Sequence, residues 1–392
     1  MRSPDARRDV AIVGAGPVGA TLALALAQSG SGPDVVAVDP RTAGEAGRAD
    51  RSLALSHGAR LIFERLGVWP RVAAMAGAVT PIVAIDVSQA QGFGATRLEA
   101  SELALPALGY VVSYRALSAA LDEALAATKV ELRFGTEVTR VEGSADHASL
   151  ALCGAAAGSI EARLAVVADG VGAAVDGVSR RRRDYRQVAL IAPVALSAPH
   201  RGIAYERFTA DGPIALLPER DHYALVWTQT PADAERSIAM PETGFLDALA
   251  RHFGPRVDRF AGVGARRSFP LALDVASTTT APRVAVIGNA AQALHPIAGQ
   301  GFNLGLRDAW ELARTIERTP RAEIGGDAML AAHRRSRRVD RNAGILFTDG
   351  LVRLFGNRVP LAAAVRGTGL VLLDLVAPAR RAFTRAMLYG LH

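Results

Sequence analysis

The chain has 392 residues, half of them hydrophobic and 5% aromatic, enough for a large core shared by two or three joined lobes. Its single cysteine, Cys153, excludes an intramolecular disulfide and any multi-cysteine metal or iron–sulfur site, so a reducing compartment is the simplest setting. The net charge of +7 is carried mostly by arginine, and without interleaved aromatics or a recognisable module it does not point to nucleic acid.

The first nine residues are polar and charged and do not read as a signal peptide. No run of 18 uncharged apolar residues occurs, so the sequence predicts a soluble, cytoplasmic protein. Residues 9–13 form a short apolar strand, residues 20–29 a helix and residues 34–38 a second strand. Between the first strand and the helix lies Gly14-Ala15-Gly16-Pro17-Val18-Gly19, a GxGxxG turn. In that pattern the first glycine permits the tight turn, the second lets a pyrophosphate approach the backbone, and the third lets the helix pack against the strand. The helix start then offers amide groups to phosphate. Asp39, 25 residues after Gly14, ends the second strand, where an acid can accept hydrogen bonds from an adenosine ribose and repels the extra phosphate of NADP.

Further along, β-rich runs at 82–87, 203–208, 214–217 and 223–228 predict a second, sheet-forming lobe inserted into the first. The nucleotide lobe resumes with a helix at 116–127 and strands at 130–134, 164–168 and 283–287, after which the chain reads as helical to its end. The expected fold class is α/β, with a Rossmann-like cofactor domain (1–79, 106–182, 276–340), an interleaved β-sheet substrate domain (80–105, 183–275) and a helical C-terminal region (341–392). The arginine cluster at 180–183 reads as solvated surface or as an attraction to acidic lipid head groups or an acidic partner. After the 283–287 strand come Gly288-Asn289, the loop residues His295-Pro296, and Gly299-Gln300-Gly301 opening a helix. This second anion-receptive turn is more than one NAD requires; a flavin with its ribityl chain, pyrophosphate and ring uses both.

On these motifs, and on the strings GNAAQALHPIAGQGFNLG and AYERFT followed by GPIALLP, the chain resembles the flavoprotein aromatic hydroxylases related to para-hydroxybenzoate hydroxylase. Within them it resembles the ubiquinone-biosynthesis hydroxylases, most of all the 2-octaprenyl-6-methoxyphenol hydroxylase branch. The resemblance implies that Gly14, Gly16, Pro17 and Gly19 hold the ADP part of FAD, with Asp39 on the ribose. It implies that Arg51, in the segment DRSLALS, runs beside the flavin and that Arg115 reaches FAD from a helix start. Asp169 belongs to a DG motif linked to both FAD and pyridine nucleotide, although the serine usual soon after its glycine is absent. Gly288 and Asn289 correspond to the ribityl site, where the family usually has Gly-Asp; asparagine keeps an acceptor oxygen. Pro296, Gly299, Gln300, Gly301 and Asn303 would bind or orient the flavin.

The chemistry implied is reduction of FAD by NADPH or NADH, addition of O2 to give a flavin hydroperoxide, and oxygen transfer to the ring of a polyprenylated phenol. His295, with Pro296, is the candidate proton-handling group; the other reading is a loop histidine that shapes the turn. Arg207 and Trp227 are candidates for the substrate cavity, against a reading as strand surface or core. Three alternatives stand beside this one. The same chemistry acts at another ring position or on another phenol; the scaffold serves as a flavin reductase or dehydrogenase; or the chain is a non-catalytic member of a biosynthetic assembly. Residues 359–378 are apolar but interrupted by Arg366 and Asp374. They read as a buried helical cap, or as a surface that meets the inner face of a membrane or partners in a multi-protein ubiquinone-biosynthesis assembly.

Overall fold

The computed structural model describes residues 7–30, 32–42, 45, 51–90, 93–154, 157–170, 173–209, 211–295, 299–355 and 360–391, with backbone alone at 352–355 and 360–366. Strands Arg8–Val13, Val35–Asp39, Gly158–Val167 and Val284–Val286 run parallel in one sheet. Their near-continuous runs of Val, Ile, Leu and Ala are explained by burial on both faces. Val10, Ile12, Val35 and Ala37 pack under helix Pro17–Ala27, whereas Ala11, Val13, Val36 and Val38 pack on the hairpin Thr136–Gly143 and Ala148–Gly154. Helix Pro17–Ala27 is apolar all round because helices Tyr114–Ala126 and Gln300–Glu317 also cover it. Each fully buried leucine in it, such as Leu22 or Leu26, contributes on the order of 2 kcal/mol of transfer free energy.

Register aligns the strand ends. Val13 lies opposite Val38 and Val167, and Val167 opposite Val286. Gly14, Asp39, Ala168-Asp169 and Ile287-Gly288 therefore form one row along the carboxyl edge of the parallel strands, the place where open α/β sheets bind ligands.

The second sheet is ordered Gln292–Ala293, Arg267–Ala276, Arg180–Leu196, His222–Gln229, Gly212–Glu219, Ile203–Thr209, Ala84–Gln89, Ala95–Glu99. It is antiparallel except where Ile203–Thr209 meets Ala84–Gln89. The run expected as one strand at 82–87 is two. Val79–Ile82 joins a separate three-stranded sheet with Ser52–Ser56 and Gly109–Ser113, and Val83 N–H turns onto Gly202 O (2.8 Å) before the second strand begins. The arginine cluster opens the long strand Arg180–Leu196, whose first half polar side chains had concealed. Arg180 pairs with Asp274 (2.9 Å) and Arg183 with Asp349 (3.3 Å), so part of the cluster serves the chain's own acids.

One face of this sheet is covered by helix Glu242–Phe253 through Phe245, Leu249 and Phe253. The other face turns toward that row of strand ends, the cofactor row expected from the sequence, and the helices Asp327–Phe355, Pro360–Leu375 and Ala377–Tyr389. Among the described residues no helix is long and apolar enough to cross a membrane.

Candidate active site

The first glycine turn works through backbone proximity. Gly14 adopts φ 90° beside Asp169, and a Cβ on Gly19 would stand 1.9 Å from Gly14 O, so the helix can seat on the strand only without one. A Cβ on Gly16, by contrast, would meet nothing within 4 Å. Gly16 caps helix Pro17–Ala27 with no side-chain hydrogen bond, leaving first-turn amides facing that open space. Open backbone, unfilled amide donors and a helix dipole fit a pyrophosphate.

Asp39 is tied into the turn itself. Its Oδ2 accepts from Ala15 N–H (2.7 Å), and its Oδ1 accepts from the backbone N–H and Nε–H of Arg41 (2.9 Å each). Arg41 also donates to Ala15 O (2.8 Å) and faces Asp122 at 3.6 Å. Sequence reading missed Arg41, although a cation two residues beyond a strand-end acid was a usable signal. Asp169 accepts from Ala173 N–H at 2.7 Å.

The two arginines named from the sequence come together. Ser52 pairs with Ser113, which sets Arg51 beside the start of helix Tyr114–Ala126. Arg51 stacks over the Tyr114 ring (4.1 Å to the centroid), and Arg115 is exposed in the same turn.

The second glycine turn lies against the first. Val18, in the opening turn of helix Pro17–Ala27, would be 3.2 Å from a Cβ on Gly288 and 3.1 Å from one on Gly305, so the two glycine-led helices start on one side of the sheet. Gly299 (φ 60°) caps helix Gln300–Glu317, again with no side-chain bond. Asn289 is exposed at this edge. Asn303, expected to face the flavin, directs its amide at the protein. Its Oδ1 accepts from Ser56 N–H (2.8 Å), and its Nδ2 donates to Ala54 O (3.0 Å) and Gly299 O (2.8 Å). It is a clamp between strand Ser52–Ser56 and the glycine turn. Asp308 is buried and receives Arg337 Nε (2.7 Å) and Gln292 Nε2 (2.8 Å). Pro296 lies outside the described residues.

Between the cofactor row and the second sheet is a cavity of about 500 Å³. Ala54, Ser56, His295, Gly299, Gln300 and Asn303 form its cofactor-side wall; Ala204, Glu206, Phe208, Ala215, Val226 and Thr228 form the sheet wall; Phe347, Leu370, Leu373, Phe383 and Met387 close it from the C-terminal helices. His295 is buried, neither ring nitrogen has a partner among the described residues, and burial pushes its imidazole down to about 4. It is neutral at pH 7, edge-on to Tyr185 with centroids 5.5 Å apart.

Arg207 and Trp227 do not line this cavity. Strand side chains alternate, and both residues fall on the helix-covered face. Trp227 packs against Phe245 and His252 (centroids 5.9 and 4.9 Å), and Arg207 donates to Ser88 Oγ (3.1 Å). Their neighbours one residue away, Glu206 and Val226, reach the cavity instead. Apolar residues on both faces hid the phase of the alternation from sequence reading. Glu206, unmarked in the sequence beyond being an acid among β-formers, is the only carboxylate among the described lining residues. It retains access to the cavity, yet apolar surroundings push its carboxyl up to about 8, with desolvation the sole cause.

Residues 7–343 match the FAD binding domain family. The chain is 33% identical over 395 residues to the ubiquinone hydroxylase UbiL of Rhodospirillum rubrum, covering 98% of this chain and 90% of that protein. It is 31% identical over 395 residues to the 3-demethoxyubiquinol 3-hydroxylase of Escherichia coli, covering 98% of each. Its fold matches the crystal structure of p-nitrophenol 4-monooxygenase PnpA from Pseudomonas putida with a TM-score of 0.74 at 17% identity, over 98% of this chain and 99% of that one. Two glycine turns meeting at one sheet edge, and full-length identity above 30% to such enzymes, lead to one conclusion: the chain belongs to the FAD-dependent monooxygenases, in the family that includes the ubiquinone hydroxylases.

Proposed function

We propose that this monooxygenase hydroxylates the aromatic ring of a polyprenylated phenol, of the 2-polyprenyl-6-methoxyphenol kind, in ubiquinone biosynthesis. The observation that carries the reading is the apolar cavity, which has the cofactor row on one wall and leucine- and phenylalanine-bearing helices on another. Its size lies within the range of small-molecule pockets, and its few polar groups suit a ring with one or two oxygen substituents on an apolar tail. The relatives named for ubiquinone chemistry support the pathway assignment.

In this reading the amides after Gly16 receive the FAD pyrophosphate, Asp39 the ribose and Asn289 the ribityl chain. Arg51, Arg115 and Asp169 border the cofactor, and Gly299, Gln300 and Gly301 approach its ring. FAD, reduced by NADPH or NADH, supplies the oxygen-activating chemistry. The chain holds the phenol against that ring, keeps water out with the apolar walls, and sets the neutral His295 at the cofactor side as a hydrogen-bonding group. The interleaved domain boundaries expected from the sequence belong to the same proposal.

A polyprenyl tail longer than the cavity has to leave it. Helix Pro360–Leu375 lines the cavity with Leu370 and Leu373, while Leu372, Leu375 and the following Val376 are exposed. Contact of this surface with a membrane is the reading we favour for the C-terminal region. The test uses FAD-loaded protein, a prenylated phenol, NADPH or NADH and isotopically labelled O2. Hydroxylated product carrying one labelled oxygen is expected; cofactor oxidation with no oxygen entering the ring would leave a reductase or dehydrogenase in its place.

A further inference from the structure

Glu206 takes no part in the cofactor row, and no hydrogen bond or ion pair reaches its side chain among the described residues. Its strand decides where it points. Ala204 and Phe208, two residues to either side, line the cavity, and directly across the ladders stand Val87 and Ala215, also lining. An ionised carboxylate in such a wall opposes folding, where an aliphatic side chain would not.

The other titratable groups around the cavity are accounted for. His295 stands on the cofactor-side wall, and Tyr205, which also borders the cavity, packs its ring against Tyr223. Asp86, paired with Arg256 (3.3 Å), and Arg207 are on the opposite face of the sheet. Asp349, on the helix that supplies Phe347, is bound by Tyr185 and Arg183, while Asp374 and Glu102 are held by Arg380.

We propose that Glu206 is a catalytic residue of the hydroxylation: in its ionised form it accepts the phenolic proton of the bound ring as the oxygen atom is transferred. The inference rests on the phenol reading above. The phenol O–H bond breaks, the proton passes to a Glu206 carboxylate oxygen, and the electron pair left on the phenolic oxygen flows into the ring. The ring carbon then has the electron density to bond the oxygen atom drawn from O2; NADPH or NADH supplies the two electrons, and the second oxygen atom leaves as water. That carbon sheds its hydrogen as a proton to solvent, offsetting the proton carried by the new hydroxyl, and Glu206 returns its own proton to the phenolate oxygen. A carboxyl whose pKa lies near the working pH suits both halves of this exchange.

The experiment compares FAD-loaded wild type with Glu206→Gln, using 2-geranyl-6-methoxyphenol as the probe. It reads kcat/KM from about pH 6 to about pH 10, FAD content, flavin reduction by NADPH without the phenol, and the ultraviolet difference spectrum of the bound phenol. Wild-type kcat/KM is expected to rise with pH through the Glu206 titration near 8. E206Q is expected to keep FAD and its reduction, to lose about 10²–10⁴-fold in kcat/KM, and to lose both the rising limb and any phenolate signature of the bound probe. A variant that hydroxylates like wild type with the same pH limb overturns the proton role and leaves the substrate reading standing. A wild type that binds and never hydroxylates the probe overturns both. Should E206Q not retain FAD, E206D decides the matter: a displaced limb supports the role, and an unmoved one overturns it.

Discussion

The cofactor wall and the substrate wall of the cavity are built by different means. Along the parallel sheet the contacts that matter are backbone contacts, made where Gly14, Gly16, Gly19 and Gly299 have no side chain. On the antiparallel sheet they are side-chain contacts, and every second residue is lost to the opposite face. A wall made of missing side chains is specified by residue type at fixed spacing. A wall made of alternate side chains is specified by register, which neighbouring strands set together.

Substitutions can break that comparison, and the largest effect falls on the cofactor side. Gly19→Ala places a methyl group 1.9 Å from Gly14 O and should cost about 3 kcal/mol or more, giving protein without FAD, as read by visible absorbance and thermal unfolding. Gly16→Ala meets no atom within 4 Å, so unfolding of the cofactor-free protein should be unchanged while FAD affinity falls by about tenfold or more. Equal destabilisation of the two cofactor-free variants would show that the turn is closed to phosphate.

Asn303→Ala is expected next. It leaves Ser56 N–H and Ala54 O without their partner, at about 2–4 kcal/mol in chemical denaturation, with FAD bound more weakly because the clamp on Gly299 is gone.

Acidity sharpens the contrast between the walls, because their buried groups respond with opposite sign. His295, on the cofactor-side wall, and His333, buried in helix Asp327–Phe355 outside the walls, are both held near 4 in the folded chain against 6.5 for an ordinary histidine. The unfolded chain therefore binds more protons between those values, and stability falls as pH drops from about 6.5 to about 4, by up to about 3 kcal/mol for each group. Glu206 has a raised pKa, so its contribution is intact below about 4.5 and is lost as pH rises through about 8. E206Q should accordingly melt above wild type at pH 9 and level with it near pH 4.5, in a thermal scan across pH.

The smallest effects separate the two faces of the substrate sheet. Trp227→Phe should cost about 1 kcal/mol of stability and leave KM for the phenol unchanged, while Ala215→Leu should shift KM by about threefold with little change in melting. The reverse pattern would put the cavity on the wrong face.

Sequence reading reached the parallel strands and both glycine turns because each is encoded locally: a hydrophobic run, a glycine at a fixed offset, an acid at a strand end. It missed the polar first half of the strand Arg180–Leu196, which owes its pairing to Arg267–Ala276 far along the chain. It left Trp227 and Arg207 open between the cavity and strand surface or core because periodicity alone does not say which face is outward when both are apolar.

The sequence by itself determined the cofactor class and the turn geometry, since glycine acts through what its own backbone permits. Only the tertiary structure decided that Asn303 clamps Ser56 across 247 positions, that Asp308 is buried against Arg337, and that Glu206 rather than Arg207 lines the cavity. These residues acquire their roles from partners brought near by folding, and a side chain's partner, unlike its own backbone, is not written beside it.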